Sequence, residues 1–206
     1  MTYVGGRCRA CRGATPLGRL RITYTAGPAP LGSGRGDTRP TLAVVATAMA
    51  PYPASTSIAT VPWPRNEHGA LAGLKTTSYA ENVVALARAA ELGASEAIFA
   101  NTSGNLCEGT GSNIFYVLDG ELRTPTLASG CLAGVTRALL VEWLDVREVD
   151  EPVAVLQQAS EIFLASTTRD VQAVHACNDV SLPSPGPVTR NAARVFADNA
   201  AKTLDP

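Results

Sequence analysis

Lysine is almost missing from this sequence. Lys75 and Lys202 stand against fifteen arginines, so nearly every basic position carries a side chain that does not give up its proton. Strong charge is missing too. The formal net charge is only -1, which leaves no broad basic field for nucleic acid or for an anionic membrane surface. The one basic run, Arg7, Arg9, Arg12, Arg19 and Arg21, lacks the interleaved aromatics of a base-stacking surface and reads as a solvated segment. The N-terminus has no apolar leader core, and no stretch reaches about 18 apolar residues free of breakers. The expectation is a cytoplasmic protein that partners neither nucleic acid nor membrane. Cysteine is present in an odd number without regular spacing: Cys8, Cys11, Cys107, Cys131 and Cys177. Cys8 and Cys11 have the spacing of a redox or half-zinc motif. No strand precedes them and no second ligand pair follows, so no metal site is expected. The other three read as small core residues in a reducing compartment.

What remains is apolar enough to fold. In 206 residues, 46% are hydrophobic, sufficient to bury a core in one or two domains. Alternation predicts strands at Leu20 to Thr25, Ser57 to Val61, Leu122 to Thr124 and Val171 to His175, and a buried strand over Thr41 to Thr47. Further strands are expected over Ala97 to Ala100, Leu106 to Thr110, Ser112 to Leu118, Val146 to Val149 and Glu161 to Ala165. Asp119-Gly120 is a hairpin turn signal. Helical spacing covers Ala80 to Leu92, closed by Gly93, then Val135 to Leu144, a short piece over Pro152 to Gln158, and a final helix from Pro187. Hairpin-spaced strands with helices between them give an α+β fold. Residues 1–19 match no period, 20–72 are strands and loops, 73–200 form a domain that carries a set of polar motifs, and 201–206 are tail.

Three polar groupings fall where strands hand over to loops or helices. Lys75 lies in Gly-Leu-Lys-Thr-Thr-Ser-Tyr, just before a helix. Glu108 lies in the glycine-rich bend Cys107 to Asn113. Gly130 to Arg137 at a helix start, with Ser166-Thr167-Thr168 after a strand, offers free N–H groups and hydroxyls to an anion. Gly134 is expected to matter because a side chain there would hold the anion off the backbone. Each grouping has a plainer explanation: a chance lysine, a bulge around Gly109 and Gly111, a solvated Glu108, helix caps at Thr136 and Thr167. Together, an amine able to form an imine, a carboxylate and a phosphate cradle meet the needs of pyridoxal 5'-phosphate.

From Leu20 to about Val174 the sequence also resembles the class IV, fold-type IV pyridoxal-phosphate enzymes. These include branched-chain and D-amino-acid aminotransferases and 4-amino-4-deoxychorismate lyases. Gly-Leu-Lys-Thr-Thr-Ser-Tyr, Glu-Gly-Thr-Gly-Ser-Asn-Ile-Phe, Gly-Val-Thr-Arg and Ser-Thr-Thr occur in the family's order. The resemblance implies that Lys75 is the Schiff-base lysine and that Glu108 partners the pyridine nitrogen. It further implies that Val135, Thr136 and Thr167 hold the phosphate and that Tyr79, one residue nearer Lys75 than in the branched-chain enzymes, meets the 3'-oxygen. Thr76, Thr77, Arg169 and the loop Gly27 to Asp37 are candidate contacts for a small-molecule amine substrate, Arg169 by pairing a carboxylate. The resemblance favours the lyase, which belongs to folate biosynthesis, over a branched-chain or D-amino-acid aminotransferase. Family members carry a small N-terminal domain that gives an arginine to the phosphate and part of a homodimer contact. Nothing before Leu20 resembles it and no arginine carries over, so a fragment or a shortened paralogue without turnover is the third reading.

Overall fold

The computed structural model describes residues 17–202; Cys8 and Cys11 lie outside them. The chain divides between Pro51 and Tyr52 into two units, inside the segment expected to run from 20 to 72.

The first unit carries β1 (Gly18–Thr25) and β2 (Thr41–Ala48), paired antiparallel from Gly18↔Ala48 to Thr25↔Thr41. Side chains of directly paired residues share a face. Leu20, Ile22 and Tyr24 therefore stand with Ala46, Val44 and Leu42 on one face, while Arg19, Arg21, Thr23 and Thr47 stand on the other. Leu42 and Val44 are 63% and 52% exposed, so the expected burial of this strand does not hold. Among the described residues, this two-stranded sheet has no second layer in its own unit to bury against.

The second unit is built on one mixed sheet. Its strands are β3 (Ser55–Thr60), β4 (Glu96–Ala100), β5 (Leu106–Gly109), β6 (Asn113–Leu118), β7 (Glu121–Thr124), β8 (Arg147–Glu148), β9 (Glu161–Ser166), β10 (Asp170–Cys177) and β11 (Val180–Ser181). They lie in the order β5-β4-β3-β10-β9-β6-β7-β8, with β11 on β10. The helices are α1 (Ala80–Glu91), α2 (Val135–Trp143) and α3 (Pro187–Ala200).

The central strands β6 and β9 run apolar over Ile114 to Leu118 and Ile162 to Ala165 because both faces of the sheet are covered there. Ile58, Ile98, Ile114, Tyr116, Ile162 and Leu164 pack on one face with Leu156. On the other, Phe115, Val117, Phe163 and Ala165 pack with Leu140 of α2 and Ala192 of α3, and Phe115 stacks on Phe163 with ring centroids 4.8 Å apart. Ala59, Ala97 and Phe99 take Ala85 and Ala89 of α1; alanines let that helix lie close to the strands. Cys107, Cys131 and Cys177 are buried as expected, and burial pushes the Cys177 thiol up to about 11.

Candidate active site

A cavity of about 650 Å³ opens between the loop before α1, the β5–β6 bend, the start of α2 and the end of β9, a size usual for a small-molecule site. Lys75, Thr76, Tyr79, Glu108, Val135, Thr136 and Thr167 all line it. Three groupings well separated in sequence thus meet in one space.

The Lys75 wall is a loop. A turn from Leu71 O to Leu74 N at 3.1 Å, with Gly73 at φ +72°, throws Lys75 forward. Its ammonium donates to Tyr79 Oη at 3.3 Å, where the chain enters α1. Ser78 N–H donates to Thr76 Oγ1 at 3.1 Å, which keeps the segment turned. Thr77 is exposed and does not line the cavity.

The opposite wall is fixed on both sides of Glu108. Strand pairing sets Glu108 opposite Phe99, and its carboxylate accepts the Leu132 N–H at 2.9 Å. Asn113 Nδ2 donates to the Leu132 carbonyl at 2.9 Å, so residues on either side of the β5–β6 bend hold both backbone groups of Leu132. Arg65 completes the group. Its N–H bonds Ala100 O at 2.8 Å, its guanidinium lies 4.2 Å over the Phe99 ring, and its Nε stands 3.5 Å from Glu108 Oε1. That Nε is buried without a hydrogen-bond partner. Burial pushes the Glu108 carboxyl above its ordinary range, while the Leu132 N–H, Arg65 and Lys75 pull the other way.

The helix starts separate structural from open anion sites. At α3, buried Glu161 accepts the N–H groups of Val188 and Thr189 at 3.0 and 2.8 Å; the chain's own carboxylate fills that terminus. At α2 no side chain caps the first turn, and Gly134, Val135 and Thr136 line the cavity with Ser166 and Thr167. Its free N–H groups remain available to an anion. A Cβ on Gly134 would also run into Asn113 Oδ1, a clash with the protein itself. Arg137 turns away from the cavity. It pairs with Glu148 and donates to Pro125 O at 2.7 Å.

Arg169 departs from its expected place. Its guanidinium pairs with Glu96 at 3.0 Å, the two side chains being 9% and 2% exposed, and it does not line the cavity. The loop Gly27 to Asp37 belongs to the first unit. Arg65 and Glu96 escaped the sequence reading, and Asn113 entered it only as the end of the glycine-rich bend. Arg65 has no local signal beyond the proline before it, whereas Glu96, a carboxylate at the head of the apolar run Ala97-Ile98-Phe99, was a legible sign of a buried partner.

A family model described as amino-transferase class IV matches residues 7–177, beginning ahead of Leu20, where the resemblance was expected to start. Over 113 residues the chain is 35% identical to a protein assigned as a branched-chain-amino-acid aminotransferase of Thermotoga maritima, covering 52% of this chain and 41% of that one. A second such assignment, from Synechocystis, shares 31% over 134 residues, 62% of this chain and 44% of the relative. The chain therefore spans less than half the length of these curated relatives. Among solved structures it resembles the branched-chain aminotransferase of Thermoproteus uzoniensis, with a TM-score of 0.83 and 24% identity over 91% of this chain and 66% of that one. It also resembles a protein assigned as a 4-amino-4-deoxychorismate lyase of Legionella pneumophila, with a TM-score of 0.82 and 22% identity over 88% and 70%. At these identities the structures establish the fold alone.

Proposed function

The chain belongs to the amino-transferase class IV family, with the fold of the fold-type IV pyridoxal-phosphate enzymes, and from that premise we propose that the cavity binds pyridoxal 5'-phosphate and processes a small primary amine by transamination. The observation that carries the proposal is the meeting of an amine, a partly buried carboxylate and an uncapped helix start in one cavity. The residues fit the cofactor. Lys75 is a primary amine open to the cavity, Glu108 offers a carboxylate for a ring N–H, and the first turn of α2 with Thr136 and Thr167 offers donors to a phosphate.

When bound, the cofactor supplies an electron sink for the bonds at the substrate's α-carbon. Lys75 takes the α-proton on Nζ and returns it, a general-base role suited to an amine that Tyr79 Oη holds at 3.3 Å. Glu108 keeps a proton on the ring nitrogen. Its carboxylate would accept from a ring N–H, with Arg65 Nε 3.5 Å away to steady its charge. The N–H groups of Val135 and Thr136 fix the phosphate end.

The aminotransferase reading is favoured because the relatives at 35% and 31% identity are assigned as branched-chain aminotransferases. The lyase is the second reading, supported by resemblance of fold to the Legionella protein. The test supplies the 206-residue chain with the cofactor and borohydride and maps the label; attachment to the Lys75 peptide is expected, and attachment to Lys202 refutes the site. Branched-chain amino acids with 2-oxoglutarate are then compared with 4-amino-4-deoxychorismate alone. Ketoacid formation supports transamination. Sustained release of p-aminobenzoate and pyruvate without an acceptor replaces it with the lyase.

A further inference from the structure

Arg169 and Glu96 do not touch the cavity, yet each is bonded to a different wall of it. Glu96 Oε1 accepts the Thr110 N–H at 2.9 Å and the Thr110 hydroxyl, and Oε2 accepts Ser112 Oγ at 3.3 Å. These bonds fix the bend that follows Glu108. The bend has no slack against Glu96: a Cβ on Gly109 would lie 3.2 Å from Glu96 Cγ and closer still to Ser112 Oγ. Asn82 of α1 adds a third tie, donating to Thr110 O at 2.7 Å. On the other side, the Arg169 N–H donates to Ser166 O at 3.1 Å, closing the turn that presents Thr167. The Arg169 guanidinium lies 4.5 Å over the Tyr52 ring and also bonds Gln172. Gln172 in turn donates to Pro53 O at 2.8 Å. The direct side-chain link between the two systems is Arg169 Nη2 to Glu96 Oε2, 3.0 Å long and almost wholly buried, alongside the β6–β9 pairing that sets Asn113 opposite Ala165.

A buried ion pair is poor value for stability alone, because desolvating both charges cancels much of their attraction. Apolar residues of similar size would fill the same space. What they would lack is direction: each charged group here has a fixed number of bonds at fixed angles to one wall. We propose that Glu96 and Arg169 are a positioning pair that locks the Glu108 bend to the Thr167 turn. The pair thereby sets the span between the carboxylate for the ring nitrogen and the donors for the phosphate. The proposal rests on the cofactor reading above, but its mechanical half stands without cofactor.

Two measurements on the full chain decide it. In the cofactor-free protein, Glu96→Gln should speed amide exchange in the turn 166–169, to which Glu96 has no bond except through Arg169. Arg169→Lys should likewise speed exchange at 110–112. About tenfold is expected at the distant wall, with β6 and β9 changing less than about twofold, as for a local opening. Arg169→Met is the harsher variant, and Arg169→Lys decides the matter where Met fails to fold. Acceleration confined to each residue's own wall overturns the proposal. The second measurement compares affinity for pyridoxal phosphate with that for pyridoxal, which lacks the phosphate. Both variants should lower the ratio of the two affinities by about fivefold, roughly 1 kcal/mol. An equal loss for both ligands marks the pair as merely structural and overturns its positioning role. If the parent binds neither ligand, the cofactor reading falls, while the exchange experiment still decides whether the walls are locked.

Discussion

Glu108 and Lys75 face one cavity from supports of opposite kinds. Glu108 lies on a paired strand, its carboxylate held by the Leu132 N–H and faced by Arg65, and the bend after it is tied by Glu96 and Asn82. Lys75 lies on an exposed loop whose side-chain bonds are to residues within the same few positions. The difference separates two tasks. A group that must meet one fixed atom of a bound ring gains from rigidity, because its geometry is then set before binding. An amine that must bond, release and carry a proton gains from a tether that follows it. The comparison is broken if the two walls respond alike to substitution.

The largest difference is expected at Lys75. Lys75→Arg keeps the charge and removes the transferable proton, so α-proton exchange on a substrate amino acid should fall by ~10³-fold, within the range for loss of a general base. The melting temperature should not move, since an exposed loop substitution stays within about 0.5 kcal/mol. A fall in stability would place Lys75 in the framework and erase the contrast.

Glu108→Gln should cut the same exchange by about 10²-fold, through loss of charge at the ring nitrogen. Unlike Lys75→Arg, it should also change how stability depends on pH in the cofactor-free chain. The folded pKa of Glu108 is raised by burial, so the unfolded chain releases this proton first as pH rises. Wild type therefore loses stability relative to Glu108→Gln through the window from the ordinary carboxylate range up to the raised pKa, and the gap is constant above it. Paired thermal melts across that window check the sign; a gap that widens toward acid contradicts it.

The smallest effect concerns the framework behind the fixed wall. Glu67 accepts Thr102 N–H at 2.9 Å, and also the hydroxyls of Thr102 and Ser103. The Thr102 N–H foremost lowers its pKa to about 2. A lowered pKa gives stability that is complete above about pH 4.5 and lost as pH falls toward 2. Glu67→Gln should be less stable than wild type at neutral pH and equal to it by about pH 2, with substrate exchange rates unchanged at neutral pH. A constant difference at all pH values would show that the bonds survive protonation.

Much of this molecule was set by local pattern. The apolar run Ile114 to Val117, the Asp119-Gly120 turn and the periodic stretch from Ala80 folded as the sequence predicted, because strand and helix periods depend on near neighbours. The motifs around Lys75, Glu108 and Thr136 were legible for a related reason: glycines, hydroxyls and a lone lysine at element ends restrict what the backbone offers. Tertiary structure decided which side chains those groups meet. Arg169 reaches Glu96 across 73 positions of sequence and Leu132 reaches Glu108 across 24, and neither contact follows from spacing. Thr41 to Ala48 has a strand's pattern, but its exposure depends on which layer lies above it. At Gly134 the tertiary structure adds a constraint that the motif does not show, the close approach of Asn113 Oδ1. A short motif fixes the backbone that a residue can adopt, while the partner across the fold is chosen by the strand order that brings distant segments to one edge.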